Sequence, residues 1–178
     1  MPMNTRLKTT LTWMSAQLLA ALRTIFFSQP AAADNYDPPG RVARIRYLQG
    51  SVSFQPAGEP DWVSAVTNRP MTTGDRLWAD AGSRAEVEIG SAVIRVGANT
   101  GFSFLNLDDG TVQIQLNEGT IALSVRRLPR DEVFEVDTPN EAFTVVRPGQ
   151  YRVQAGADGN SSIVIVREGE GEVTGGGM

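Results

Sequence analysis

Charged and apolar residues alternate without interruption over residues 84–89, which read Arg-Ala-Glu-Val-Glu-Ile. In a β-strand the side chains have a period of two, so Ala85, Val87 and Ile89 share one face and the charged residues share the other. No apolar stripe at the helical spacing of i, i+3, i+4 and i+7 competes with this pattern. The segment is therefore predicted to be a strand with one buried and one solvated face.

The same alternation returns along most of the chain. Further short strands are predicted at 42–48, 52–54, 76–78, 92–96, 112–116, 121–125, 133–137, 143–146, 151–154 and 163–166. The last of these, Ile163–Val166, is apolar on both faces, which predicts a strand that is covered on both sides. The densest apolar patch is expected at the centre of the core, and it consists of Phe102, Phe104, Leu105 and Leu107.

Glycines open several of these strands roughly every 20 to 30 residues, at Gly50, Gly74, Gly119, Gly149 and Gly169, with Gly97 as a weaker member of the series. Repeats of this size favour a β-solenoid-like winding, in which each turn buries its face on the next. An ordinary β-sandwich, whose turns also recur at short intervals, is the alternative. The predicted fold class is all-β, a β-solenoid-like or β-sandwich stack of short antiparallel strands that follows an N-terminal signal peptide.

Residues 1–33 have the three parts of a secretory signal peptide. Arg6 and Lys8 form a positive start, an apolar stretch follows to Phe27, and Pro30-Ala-Ala-Ala33 supplies the small residues of a cleavage site. An uncleaved anchor is the alternative, but Gln17 and Arg23 interrupt a short segment. The remaining chain is divided into a lead-in at 34–40, a domain at 41–174 and a glycine-rich tail at 175–178.

The charge of the exported chain argues against nucleic acids and anionic membrane surfaces as partners. Removing residues 1–33 takes away three basic residues and no acidic one, which leaves 13 basic and 20 acidic residues and a net charge of −7. Nucleic acids and anionic membrane surfaces are bound through basic patches. No nucleic acid partner and no stable membrane insertion after cleavage are expected.

The residue types that are absent exclude most catalytic chemistry. The chain has no Cys and no His, and its one Lys is Lys8. Triads with a His base, Cys nucleophiles, Schiff-base lysines and zinc sites of Cys and His are thereby excluded. Carboxylate chemistry and calcium bound by oxygen atoms remain.

Few residues are candidates for that remaining chemistry. Glu86 and Glu88 project from one side of a strand, about 6.5–7 Å apart by strand rise, a spacing that superficially suits a glycosidase pair. Next to Arg84 they are interpreted as a solvated sheet face instead. Trp62 and Trp78 are possible sugar platforms and are expected in the core or at its edge.

Two acidic turns are possible calcium ligands. They are Asp108-Asp109-Gly110 and Asp158-Gly159-Asn160. Asp-Gly and Gly-Asn pairs are strong hairpin signals, because glycine supplies the positive φ that such turns require. Both segments are predicted as turns, and no catalytic, cofactor-binding or metal-binding residue is predicted anywhere in the chain.

Six motifs in order resemble those of the FecR-type domain, named after the sensor of ferric dicitrate uptake. They are Leu48-Gln-Gly-Ser-Val52, Thr73-Gly-Asp-Arg-Leu77, Ser83-Arg-Ala-Glu-Val87, Leu116-Asn-Glu-Gly-Thr-Ile121, Val136-Asp-Thr-Pro-Asn140 and Arg147-Pro-Gly-Gln-Tyr151. The resemblance covers roughly residues 41–174. It implies a periplasmic, non-catalytic, all-β domain that relays a signal by contact with another envelope protein.

Two features differ from the best-known members of that family. About ten residues precede the apolar segment, too few for a cytoplasmic anti-sigma domain, and no transducer-contacting module follows residue 174. Direct control of a sigma factor is therefore not expected, and the glycine tail is typical of a linker. The function predicted is that of a non-enzymatic periplasmic, or otherwise extracytoplasmic, interaction or sensory module without a cofactor. An envelope carbohydrate-binding protein or carboxylate glycosidase and a structural spacer are the alternatives.

Overall fold

The computed structural model describes residues 40–175, and β-strands make up most of them. In chain order the strands are β1 Ala43–Gln49, β2 Val52–Gln55, β3 Val63–Ser64, β4 Pro70–Met71, β5 Arg76–Ala79, β6 Arg84–Ile89, β7 Ala92–Val96, β8 Thr100–Leu107, β9 Thr111–Val125, β10 Val133–Asp137, β11 Glu141–Val145, β12 Gly149–Ala155, β13 Ser162–Glu168 and β14 Gly171–Gly175. In this part of the chain, nothing helical has the length and hydropathy of a membrane span. The all-β prediction is confirmed, and the predicted signal peptide lies outside the described residues.

The strands form two sheets that share β9. Sheet A has the order β4-β1-β6-β7-β9-β12-β13. Sheet B has the order β3-β2-β5-β8-β9-β10-β11-β14. Within residues 40–175 all neighbours pair antiparallel except β9 and β10, which are parallel. Stacked solenoid coils would pair mainly in parallel, so the fold is the layered alternative, a curled antiparallel sheet folded onto itself.

Both sheets contribute their inner faces to one hydrophobic core. On β6 the residues predicted to face inward, Ala85, Val87 and Ile89, are all buried. Phe102 and Phe104 of β8 pack edge to face, with ring centroids 5.5 Å apart. Burying a large apolar side chain contributes about 1.5–3 kcal/mol, so this cluster is the main source of stability in a domain without disulfides.

The long strand β9 passes from one sheet to the other at Gly119. Residues 111–118 pair in sheet B, and residues 119–125 pair in sheet A. Gly119 has a φ of +93°, which L-residues rarely adopt. A Cβ atom there would also collide with the carbonyl oxygen of Asn99 and with Thr100. Only glycine therefore fits the point where β9 changes layers.

Two predictions about the core are wrong. Leu105 is 42% exposed, because it follows the inward-facing Phe104 and therefore points to the opposite face, and the register shift between Phe104 and Asn106 brings Leu107 back into the core. The segment Ile163–Val166 is not covered on both sides. It lies in β13, which forms one edge of sheet A and pairs with β12, and a continuous apolar run does not distinguish such an edge from a central strand.

Candidate functional site

The outer face of sheet A carries a row of side chains that crosses six strands. The pairing registers place these residues side by side: Tyr47, Glu86, Arg95, Ala122, Arg152 and Ile165. The residues next to this row along the strands, among them Val87 and Leu123, are buried. Because successive strand residues point to opposite faces, the row from Tyr47 to Ile165 faces away from the core.

A groove of about 650 Å³ follows this row. Small residues, among them Gly97, Ala98 and Ala122, line it together with longer side chains. Ala122 lies directly between Arg95 and Arg152 in the sheet, so a short side chain separates two long ones. We call this feature the arginine groove and define it by Tyr47, Arg84, Glu86, Arg95, Ala122 and Arg152.

The arginine groove has a surplus of positive charge. Glu86 accepts a hydrogen bond from Nε of Arg95 at 2.9 Å, with the two side chains 33% and 57% exposed. Arg84 and Arg152 form no ion pair within 4.0 Å among the residues that the structure describes. Three guanidinium groups therefore face one carboxylate, in a chain whose net charge is −4. Such a cluster creates a local positive potential on an otherwise acidic protein.

Glu86 and Glu88 form ion pairs on a solvated face, as the sequence predicted. Glu88 lies 3.5 Å from Nη1 of Arg46 and 4.0 Å from Nη2 of Arg126. Each glutamate thus has an arginine partner, and both belong to the outer face of sheet A. The arrangement provides charge pairing rather than two carboxylates that flank an empty cleft.

The two tryptophans lie elsewhere. Trp78 of β5 is on the outer face of sheet B, where its ring covers Gly101 of the neighbouring strand and its Nε1 donates to Asp80 at 2.6 Å. Trp62, which precedes β3, is 46% exposed. The prediction of core or core edge therefore fits the half-buried Trp78 and is wrong for Trp62. Neither tryptophan converges on Glu86 and Glu88.

The acidic segments predicted as turns are turns. Asp108 accepts hydrogen bonds from the amides of Gly110 and Thr111 at 2.8 and 2.7 Å. The bond from Gly110 is the main reason that the pKa of Asp108 lies below its usual value. In the second turn Gly159 has a φ of +67° and Asn160 donates its amide to Asp158. No group of three acidic residues suited to a metal ion occurs in the described part of the chain.

A carboxylate pair that sequence reasoning missed lies on β10, in sheet B. The side-chain nitrogen Nε2 of Gln113 donates hydrogen bonds to the carboxylates of Glu135 at 3.1 Å and Asp137 at 2.9 Å. Burial, and then the charge of Glu135, raise the pKa of Asp137. The two acids share one neutral donor, so this cluster is best explained as a structural bridge between β9 and β10.

The exposed side chains of β13 continue the surface beyond the arginine groove. Ile163 and Ile165, on the outer face, are 53% and 40% exposed, and Val166, which lies opposite Tyr151 and points to the other face, is 45% exposed. Ile165 lies opposite Arg152 on β12, so an apolar edge directly adjoins the cationic row. The groove itself could not be found from sequence patterns. Arg95 and Arg152 become neighbours only through the registers of β7, β9 and β12.

A comparison with protein families gives one match. The model of the family described as FecR protein matches residues 75–171, which is 97 of the 178 residues. The match runs from just before β5 to the start of β14 and includes Arg84, Arg95 and Arg152. Comparisons with curated proteins and with solved structures give no match.

Proposed function

This chain belongs to the FecR family, which is associated with signalling at the cell envelope, and we propose that it is an exported, non-enzymatic domain that acts by binding another envelope protein. The contact is made through β13, to which an extended segment of the partner adds as a further strand. Strand addition of this kind uses main-chain hydrogen bonds for affinity and side-chain pockets for specificity.

The observation that carries this proposal is the contrast between β13 and the other sheet edges. In residues 40–175 the remaining edge strands are β3 and β4, which have two residues each, and β14, which contains Gly171, Glu172 and Gly175. Short strands, prolines, glycines and charges are the usual protection of an edge. β13 has seven residues, and its first five, Ser162–Val166, are uncharged. It is therefore the edge best suited to accept another strand.

Site-specific photo-crosslinking in the native envelope tests the contact. A photoreactive residue at position 163 is expected to capture a partner protein, because Ile163 is exposed on the open edge. The same residue at position 105 is the control, since Leu105 is similarly apolar and exposed but lies in sheet B. Equal capture at the two positions, or none at position 163, would contradict the proposal.

Export is tested separately by cell fractionation. The chain is expected in the extracytoplasmic fraction with Asp34 as its new N-terminus, because cleavage after Ala33 removes the predicted signal peptide. Full-length chain confined to the cytoplasm would contradict export. A full-length chain in the membrane fraction would identify the uncleaved anchor.

The carbohydrate-binding or glycosidase alternative is not proposed. It requires Trp62, Trp78, Glu86 and Glu88 in one open cleft, whereas Trp78 and the two glutamates lie on different sheets. No observation favours a purely structural spacer over an interaction module.

A further inference from the structure

We propose that the arginine groove binds an acidic, extended segment of the partner protein. This inference rests on the proposed function, because it assumes a protein partner, and it adds the chemistry by which that partner is recognised. The segment crosses the strands of sheet A above Ala122 and leads toward the open edge at β13.

Charge complementarity is the first argument. Arg84 and Arg152 have no carboxylate within ion-pairing distance in the described residues, and the side chain of Arg95 is still 57% exposed beside Glu86. Arginine presents planar donor groups that match carboxylates in pairs. An acidic segment would satisfy these donors, whereas a basic segment would meet three like charges.

The dimensions of the groove fit a short peptide. Its lining extends from Tyr47 on β1 to Arg152 on β12, across five adjacent strands. Four inter-strand spacings of about 4.8 Å give a length of roughly 19 Å. An extended chain rises about 3.3 Å per residue, so this length accommodates about six residues. A single small carboxylate would leave most of the groove empty.

The two ends of the row provide the remaining contacts. Tyr47 is 44% exposed at one end, and Ile165 is 40% exposed at the other. Tyrosine and arginine are enriched at protein interfaces, where they supply contact area together with polar donors. Because Ile165 lies next to Arg152, a segment that leaves the groove arrives at the edge of β13. The cationic groove and the apolar edge thus form one continuous surface.

The test uses purified protein and three labelled eight-residue peptides, in which valine alternates with glutamate, with glutamine or with lysine. We expect the glutamate peptide alone to bind, and we expect its affinity to fall as salt concentration rises. Reversal of one exposed charge, in R84E or R152E, is expected to weaken binding about tenfold, because an attraction is replaced by a repulsion.

The matched control is R76E. Arg76 is exposed, it lies on the outer face of sheet B, and its substitution makes the same change in net charge. R76E is expected to bind the glutamate peptide within about twofold of the unaltered protein. Thermal unfolding of all three variants confirms that each is folded.

Several outcomes would overturn the inference. They are no binding of the glutamate peptide, equal binding of the lysine peptide, equal weakening by R76E, or glutarate alone binding as tightly as the peptide. The proposed function fails independently, since it depends on capture at position 163 in the envelope. If a partner is captured at position 163 equally well in R84E and R152E, and the glutamate peptide does not bind, the proposed function stands. The proposal that the arginine groove binds an acidic segment is then wrong.

Discussion

The hydroxyl oxygen of Tyr151 lies 3.1 Å from both the amide nitrogen and the carbonyl oxygen of Glu170. It also donates to the carbonyl oxygen of Arg147. Tyr151 is on β12 of sheet A and is 2% exposed, whereas Glu170 lies in the connection that carries the chain from sheet A to sheet B. One buried side chain therefore fixes two separate turns where the layers meet.

Replacing Tyr151 with phenylalanine is expected to lower the free energy of unfolding by about 1–3 kcal/mol, because the amide of Glu170 and the carbonyl of Arg147 lose a buried partner. Urea unfolding measures the change. Y47F is the control, since the exposed Tyr47 hydroxyl bonds only to Gln49 in the described residues, and a change within about 0.5 kcal/mol is expected there. Equal effects of the two substitutions would contradict the role of Tyr151.

Replacing Gly119 with alanine is expected to lower the free energy of unfolding by about 2–4 kcal/mol, since the positive φ and the collision with Asn99 and Thr100 act together. Thermal unfolding measures it. In G82A the φ of +72° imposes only the backbone cost, about 1–2 kcal/mol, because a Cβ atom at Gly82 meets nothing within 4 Å. A G119A variant no less stable than G82A would refute the steric argument.

The raised pKa of Asp137 predicts a pH-dependent stability. Between the unfolded pKa of about 3.8 and the higher folded pKa, the folded protein binds more protons than the unfolded chain. Stability therefore falls as pH rises through this window. D137N removes this loss, so its melting temperature is expected to exceed that of the unaltered protein at pH 7, with the difference shrinking below pH 4.

The lowered pKa of Asp108 predicts the opposite dependence of stability on pH. Its pKa is lowered, chiefly by the amide of Gly110, so its contribution is present above the unfolded pKa and is lost as pH falls through the folded pKa. D108N is expected to lower the melting temperature at pH 7 and to have less effect in acid. Melting temperatures of D108N and D137N are measured from pH 3 to 8. Changes of the same sign in the two variants at pH 7 would contradict the opposite roles of Asp108 and Asp137.

The exposed isoleucines of β13 are expected to matter for binding and not for folding. The double variant I163T/I165T should change the free energy of unfolding by no more than about 0.5 kcal/mol per site, while crosslinking from position 166 to the partner is lost. V153T is the folding control, because Val153 is fully buried on β12 and burying its hydroxyl should cost about 1–3 kcal/mol. Unchanged crosslinking in I163T/I165T would exclude these side chains from the contact.

Local patterns predicted most of the strands but not β8, and they were insufficient for the arrangement of the strands. Alternation at Ala85, Val87 and Ile89 predicted which face of β6 is buried, because that information lies within six residues. The outward position of Leu105 follows from alternation with Phe104, whereas the burial of Leu107 depends on a bulge in the β8–β9 register that no feature of the local apolar run indicates. The glycine repeat correctly marked points where the chain changes direction, but Gly119 bends one strand instead of opening a new one.

The candidate site required long-range information throughout. Alternation within the strand predicted at 92–96 is enough to place Arg95 on the face opposite Ile94 and Val96, but its proximity to Arg152 depends on two ladders that both involve β9. The open edge at β13 was misread for a related reason. Four consecutive apolar residues indicate a strand whose two faces are both covered, yet nothing local shows that Ile163 and Ile165 lie on the solvated outer face of sheet A, at its edge.

The membership of β9 in both sheets has a mechanical consequence. The fifteen residues of this strand join the hydrogen-bond ladders of the two layers without a break, so a force applied to one layer is transmitted through β9 to the other. Separation of the layers would require β9 to lose its pairing in at least one of them. A partner that pulls on one layer of this domain would therefore load the other layer as well.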